Sequence, residues 1–433
     1  MKRFATILAF LTALWTGATA QAPSWRLDSC IDYALSHNSS ILLAEAQKRR
    51  SQIDLIQSKM RLLPTLQLYV NQYYNWGRSV DMQELVIVRN RLTRQTSASV
   101  GASFSIFDGF ATLSTIAANR ALAMSAVDEA AQTALEIKAD ISRAYLGNIL
   151  ARLTAERLSD SYDTILRQIE KVSTLVARGQ RTTADLLELK AKAADISARI
   201  AEAESEEALQ MQQLRKLTGR EEPFSTDMAE YGSLPAMEIH QAGDYLPHIP
   251  AVAAAEHSVE AAEYSLKAAR GALLPTLSLS AAYGTYYSDA ADAVFKDQVS
   301  NNRNPSISLS LVVPILDCGK AAGDLARARN DLEKQRLRLK QITEESAYNL
   351  LQIKEQCILL ESQQESLRVR QDYCAEKLRL ADREYELGTI STAQWIEAGE
   401  DYAQSTCDHI QCRCKYLFQK IILNLYYNGC QKE

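Results

Sequence analysis

The chain has few residues that break helices. Its 433 residues include only 16 Gly and 9 Pro, against about 7% and 5% in ordinary proteins. Long uninterrupted helices are therefore favoured over a loop-rich fold. Excess positive charge is also missing: the formal net charge is −5, which argues against a nucleic-acid partner. Beyond the first sixteen residues no apolar run reaches the roughly 18 residues of a membrane-spanning helix, which leaves a soluble protein or a β-barrel. No nucleophile, phosphate-binding loop or metal-ligand spacing stands out. The five His, at 37, 240, 248, 257 and 409, form no ligand set. Cys30, Cys318, Cys357, Cys374, Cys407, Cys412, Cys414 and Cys430 match no zinc or redox motif and read mostly as free or buried thiols. No enzyme activity, catalytic residue, cofactor or metal is expected. Tyr, by contrast, is common at 19, which suits a surface meeting both apolar and wet surroundings.

The N-terminus reads as an export signal. Lys2 and Arg3 precede the apolar stretch Phe4–Thr16, and Ala18-Thr19-Ala20 is an A-x-A cleavage pattern that would leave Gln21 first. Removing the signal leaves 46 basic against 53 acidic side chains, a net of −7.

One short run occurs twice, as Leu62-Leu63-Pro64-Thr65-Leu66 and Leu273-Leu274-Pro275-Thr276-Leu277, 211 residues apart. Each copy ends a helical pattern and begins one with period 2, the mark of a duplicated unit. Pro64 and Pro275 are read as helix-to-strand junctions, since Pro stops a helix and is tolerated at a strand's first residue. The first copy gives a helix over about 27–62, strands about 65–76 and 97–106, and a Pro-free helical hairpin over 111–217 broken at Gly179. A polar loop over 77–96 carries Arg78, Arg89, Arg91 and Arg94; it is read as solvated, with contact to anionic lipopolysaccharide as the rival reading. Residues 219–250 are rich in Gly and Pro and read as a linker. The second copy, over 251–433, repeats the plan. It has a helix, strands about 276–287 and 305–313, and a hairpin over 320–427 broken at Gly388. Residues 1–20 are the signal and 21–218 the first repeat.

Strands of about ten residues, apolar on one face and Ser/Gly-rich on the other, have the length and alternation of barrel strands. Tyr73, Tyr74 and Trp76 suit an interfacial girdle. Four strands cannot close a barrel, and open edges are not tolerated in hydrocarbon. The strands must therefore be shared among copies, and a trimer with twelve is favoured over a plugged eight. The 67-residue helical pattern from Ala111 to Ala177 would span roughly 100 Å.

In this order, these residues resemble the TolC-like outer membrane efflux protein family over nearly the whole mature length. The paired LLPTL runs carry the resemblance, together with Ser105-Ile106-Phe107-Asp108-Gly109, its counterpart Pro314-Ile315-Leu316-Asp317, and the two hairpin tips at 178–188 and 387–397. The fold class implied is mostly α with a membrane β-barrel: duplicated helical hairpins form a periplasmic tunnel, and four strands per chain join a 12-stranded trimeric barrel. The resemblance also implies an outer-membrane exit duct, outer-membrane lipid around it, a periplasmic adaptor (membrane fusion) protein and an inner-membrane pump of RND or ABC type. It places the tunnel entrance at Asp185, Glu188, Gln394 and Glu397, where the family's paired acids after the second tip are reduced to one. It assigns adaptor docking to Gly179, Thr182, Thr183, Gly388, Ser391 and Thr392. The bland reading of the acids is that they favour the helix dipole. Cys374 and Cys407 flank Gly388 by 14 and 19 residues and are a candidate disulfide. A type I protein-secretion channel and a pore-less periplasmic coiled-coil protein are the alternatives.

Overall fold

In a computed structural model the described residues are 24–80, 87–220, 222–227, 249–290 and 294–428. The expected signal, Cys430 and most of the 219–250 linker lie outside them. The elements, in order, are β1 (Ser24–Trp25), α1 (Leu27–His37), α2 (Ser39–Met60), β2 (Thr65–Val80), β3 (Ile87–Phe107), α3 (Ala111–Ala177) and α4 (Thr183–Thr218). There follow β4 (Ser225–Thr226), α5 (Pro250–Gly271), β5 (Thr276–Ser288), α6 (Phe295–Asn301), β6 (Asn304–Val312), α7 (Lys320–Leu387) and α8 (Thr392–Asn428). They divide into two compact units. One runs up to Glu45 and adds Glu129–Val252 and everything from Thr343. The other is Ala46–Asp128 with Ala253–Ile342.

The first unit is helical. Leu158, Ile165 and Val172, one heptad apart on α3, are all buried with Leu189 and Ile196 of α4 and with Tyr385, Trp395 and Ala398 around the second tip. A second core gathers Leu27, Cys30 and Ala34 of α1 against Ile141, Tyr145 and Ile149 of α3 and Leu214 of α4. There the Tyr145 hydroxyl donates to the Trp25 carbonyl at 3.0 Å and accepts from the Asp227 amide at 3.0 Å. It thereby pins the small parallel pair β1–β4.

The second unit holds one antiparallel sheet in the order β2-β3-β5-β6. Its ladders place Leu68 opposite Val100, Val100 opposite Tyr283, and Leu279 opposite Leu309. One face therefore carries Leu66, Leu68, Val70, Val100, Leu279, Tyr283, Ile307, Leu309 and Leu311, all exposed. Both LLPTL runs close their helix with the same tight turn: Leu62 and Leu63 bond back to Lys59 and Met60, and Leu273 and Leu274 to Arg270 and Gly271. Pro64 and Pro275 then stand immediately before the first strand residue.

Four expectations change. The helix over 27–62 is two helices, because Asn38 breaks it. Its amide donates to the Leu217 carbonyl at 2.6 Å, while its Oδ1 accepts from the Ser40 and Ile41 amides and caps α2. The polar stretch 77–96 is mostly strand, paired with β2 as far as Val80 opposite Ile87; its ladder uses backbone groups and needs no apolar alternation. The loop after β5 contains α6, whose fully buried Gln298 accepts from the Ser288 amide and donates to its carbonyl, both at 2.9 Å. Finally, Cys374 and Cys407 are free thiols. Arg370 pairs with Asp408 and Gln371 with Thr406, which puts Cys407 level with residues 370–371, about a helical turn from Cys374. Cys407 instead lies near the charge of Arg199 on α4.

Candidate functional site

The two tips have the same build. Gly179 and Gly388 take φ of 72° and 76°, the left-handed conformation that ends a helix at no Cβ cost. Thr182 then caps α4. Its hydroxyl accepts from the Asp185 amide at 3.2 Å, and the Asp185 carboxylate accepts from the Thr182 amide at 3.1 Å. Ser391 and Gln394 repeat this box at the start of α8, with Ser391 N–H donating to Gln394 Oε1 at 2.9 Å and Gln394 N–H to Ser391 Oγ at 3.2 Å. Gln394 thus fills the same cap position as Asp185. The spacings Thr182-x-x-Asp185 and Ser391-x-x-Gln394 are the capping-box signal that marks both roles in the sequence.

The symmetry ends at one bond. Thr392, fully buried, donates from Oγ1 to Asp185 Oδ1 at 2.6 Å. The Thr392 hydroxyl also lies 3.0 Å from the Tyr385 hydroxyl. Arg181 sits over the Tyr385 ring at 4.5 Å and donates to the Tyr385 carbonyl at 3.2 Å. Tyr385 stacks on Trp395, whose Nε1–H donates to Asp382 at 2.7 Å. Deeper along the hairpins, Lys192 bridges Asp195 of its own helix and Glu400 of α8. A cavity of about 190 Å³ lies beside this bridge, floored by Leu158, Ile165, Ile196 and Trp395.

Of the sequence-derived residues, Asp185 and Thr392 meet directly, and Thr182 and Ser391 serve as caps. Gly179, Thr183 and Gly388 are exposed around the tips, and Glu188 and Glu397 point to solvent. Tyr385, Trp395, Arg181, Lys192 and Glu400 were not foreseen, because the contacts that join them to the tips cross between helices, as Lys192 does to Glu400.

Hydrogen bonds from Thr392, and then from Thr182, hold the Asp185 carboxyl below its ordinary value. A carboxylate depressed in the folded state contributes stability above its unfolded pKa, about 3.9, and loses it as pH falls through the lower folded value. Exchange protection factors at the start of α4 should therefore stay level from about pH 8 to about pH 5 and decline only below about pH 4. A decline centred near pH 6 would refute the tie.

The family model described as "Outer membrane efflux protein" matches residues 30–220 and 243–426. The chain is 22% identical over 249 residues to the outer membrane efflux protein BepC of Brucella suis, covering 56% of this chain and 53% of that protein. It is 28% identical over 180 residues to the probable efflux pump outer membrane protein TtgC of Pseudomonas putida, covering 41% and 35%. The chain thus spans about half of the first relative's length and about a third of the second's. Its fold matches the crystal structure of the outer membrane protein VceC from Vibrio cholerae, with a TM-score of 0.80 at 18% identity over 92% of this chain and 95% of that one. It also matches a membrane protein from Pseudomonas aeruginosa, with a TM-score of 0.82 at 17% identity over 95% and 93%.

Proposed function

The chain belongs to the outer membrane efflux protein family, and from that premise we propose that it is the outer-membrane exit duct of a tripartite efflux or secretion assembly. The supporting observation is the sheet. Four strands carry an exposed apolar face, and among the described residues neither β2 nor β6 has a partner on its outer edge. In hydrocarbon such edges must be paired. Three copies supply twelve strands, enough for an open lumen, and the Ser-rich face of β3, β5 and β6 lines it.

The duct is passive and catalyses no reaction; a pump in the inner membrane supplies the energy. The hairpin tips are the end that meets a periplasmic adaptor, with Gly179, Thr182, Thr183, Gly388 and Ser391 in the contact; Thr392, expected there from the sequence, is fully buried and braces the tip from within. Asp185, Glu188, Gln394 and Glu397 border the entrance. Asp185 is already engaged by Thr182 and Thr392, so Glu188 and Glu397 are the acids free to face a passing solute. The Asp185–Thr392 bond joins the first hairpin to the second, and widening the entrance requires breaking it.

Detergent extraction of outer-membrane fractions should yield a trimer that conducts ions in planar bilayers. Recovery as a soluble monomer without conductance would sink this reading.

A further inference from the structure

One end of the apolar sheet face carries positive charge that no side chain answers. On β2 this face runs Leu66, Leu68, Val70, Gln72, Tyr74 and Trp76. Ten residues at about 3.4 Å each cover about 34 Å along a strand. At a barrel tilt of about 40–45° that is about 25 Å of height, the depth of a barrel's apolar band. With Leu66 at the periplasmic boundary, Trp76 reaches the outer one. Tyr74 and Trp76 stack there with ring centroids 6.3 Å apart, and both are exposed. Gln72, one step below them, is bonded to the Thr96 hydroxyl across the ladder.

Arg94 stands directly opposite Tyr74 in the β2–β3 ladder. Its side chain therefore rises from the same face, at the level of the two rings. Asp289 fixes its backbone: the Asp289 amide donates to the Arg94 carbonyl at 3.0 Å, and the Arg94 amide donates to the Asp289 carboxylate at 2.6 Å. The Arg94 side chain is exposed and, among the described residues, makes no ion pair.

The second repeat has the same device. The two hairpins share one register: through offsets of 211 for the first strand and 209 for the second, Thr65 opposite Ser103 becomes Thr276 opposite Val312. The same offsets carry Trp76 to Tyr287 and Arg94 to Arg303. Tyr287 meets the exposed Phe295 ring edge-on at 5.1 Å. Arg303 is exposed, reaches only the Ser300 hydroxyl at 3.5 Å, and likewise makes no ion pair among the described residues. The neighbouring positions differ between the halves, with Thr285 in place of Tyr74 and Asn301 in place of Leu92. The arginine and the aromatic ring are what both halves keep.

We propose that Arg94 and Arg303 each bind a phosphate of an anionic lipid in the outer leaflet, with the Tyr74–Trp76 and Tyr287–Phe295 pairs packing that lipid where its head group meets its chains. The proposal rests on the duct reading above, which sets this face against lipid. A guanidinium presents parallel N–H donors that match phosphate oxygens. Aromatic rings suit the boundary because one end can face hydrocarbon and the other water. The surface below each arginine selects a lipid over a soluble anion. Val70 and Val100 lie on the apolar face below Arg94, and Ile307 and Leu309 below Arg303, all exposed. Only a ligand with a phosphate at one end and hydrocarbon at the other satisfies both parts. Three copies carry six such sites.

The test uses the full-length trimer, purified from outer membranes and stripped of lipid in a neutral detergent. Native mass spectrometry should show diphosphoryl lipid A binding at up to six per trimer, and zwitterionic phosphatidylcholine binding far more weakly. Arg94→Gln with Arg303→Gln should weaken lipid A binding about fivefold, the effect of one arginine beside an anionic lipid surface. Arg157→Gln, an equal loss of charge on the exposed side of α3, should leave it unchanged. Millimolar inorganic phosphate should not compete. If the trimer conducts but the Arg94/Arg303 variant binds lipid A as the unaltered protein does, or phosphatidylcholine binds equally well, the lipid site is wrong and the duct stands. Displacement by inorganic phosphate would make it a soluble-anion site and would also overturn the proposal. If no trimer forms, both the lipid site and the duct fail.

Discussion

Trp395→Ala should loosen the helical tips by about 3–5 kcal/mol, the usual range for removing a buried Trp. Trp395 is 5% exposed and packs within the cluster of Leu158, Ile165, Leu189 and Tyr385. Its removal opens the cavity already beside it and unsupports the Tyr385 ring that holds Arg181 and Thr392. Hydrogen exchange should accelerate at the start of α4, at the end of α7 and at the start of α8, while the sheet stays protected. Trp395→Phe separates packing from polarity. It keeps an aromatic ring in the stack and loses the bond to Asp382, which is exposed and can be rehydrated, together with part of the indole's volume, so the cost should be about 1–2 kcal/mol, well below that of Trp395→Ala. Equal losses for both variants would show that the hydrogen bond, not the packing, secures the tip.

Gly109→Val should have an effect of similar size at the strand-to-helix junction. The added Cβ would sit 2.3 Å from the Gly271 carbonyl and 2.9 Å from the Leu274 Cβ, and overpacking costs about 1–3 kcal/mol. The φ of 67° adds roughly 1–2 kcal/mol for a residue with a Cβ. Assembled protein in the outer-membrane fraction should fall several-fold and the apparent Tm should drop. The matched control is Gly323→Ala on α7, where nothing lies within 4 Å of the new Cβ and helix propensity gains about 1 kcal/mol. A normal yield of Gly109→Val would mean that the junction is looser than its geometry indicates.

The duplication was legible because both signals are local. Period 2 after Pro64 and Pro275 and heptads without Pro report the chain's own neighbours. The break at Asn38 was hidden because apolar residues continue on both sides of it; the break needs the Leu217 carbonyl, 179 residues away, to engage the Asn38 amide. The extension of β2 and β3 through Arg-containing sequence was hidden for the opposite reason. A ladder made of backbone bonds leaves no apolar pattern to read.

The sequence by itself determined the helical hairpins, the four strands and the two glycine turns, each of which depends on residues a few positions apart. It also determined that the two halves are built alike. Only the tertiary structure decided where they stop being alike. Asp185 and Gln394 occupy equivalent caps, yet Thr392 reaches across to Asp185 alone. Gly109 closes on Gly271, while Cys318 is left exposed. Sequence repeats specify equivalent backbones, but a bond or a close approach depends on which side chains then face each other, and that is fixed only when distant segments pack.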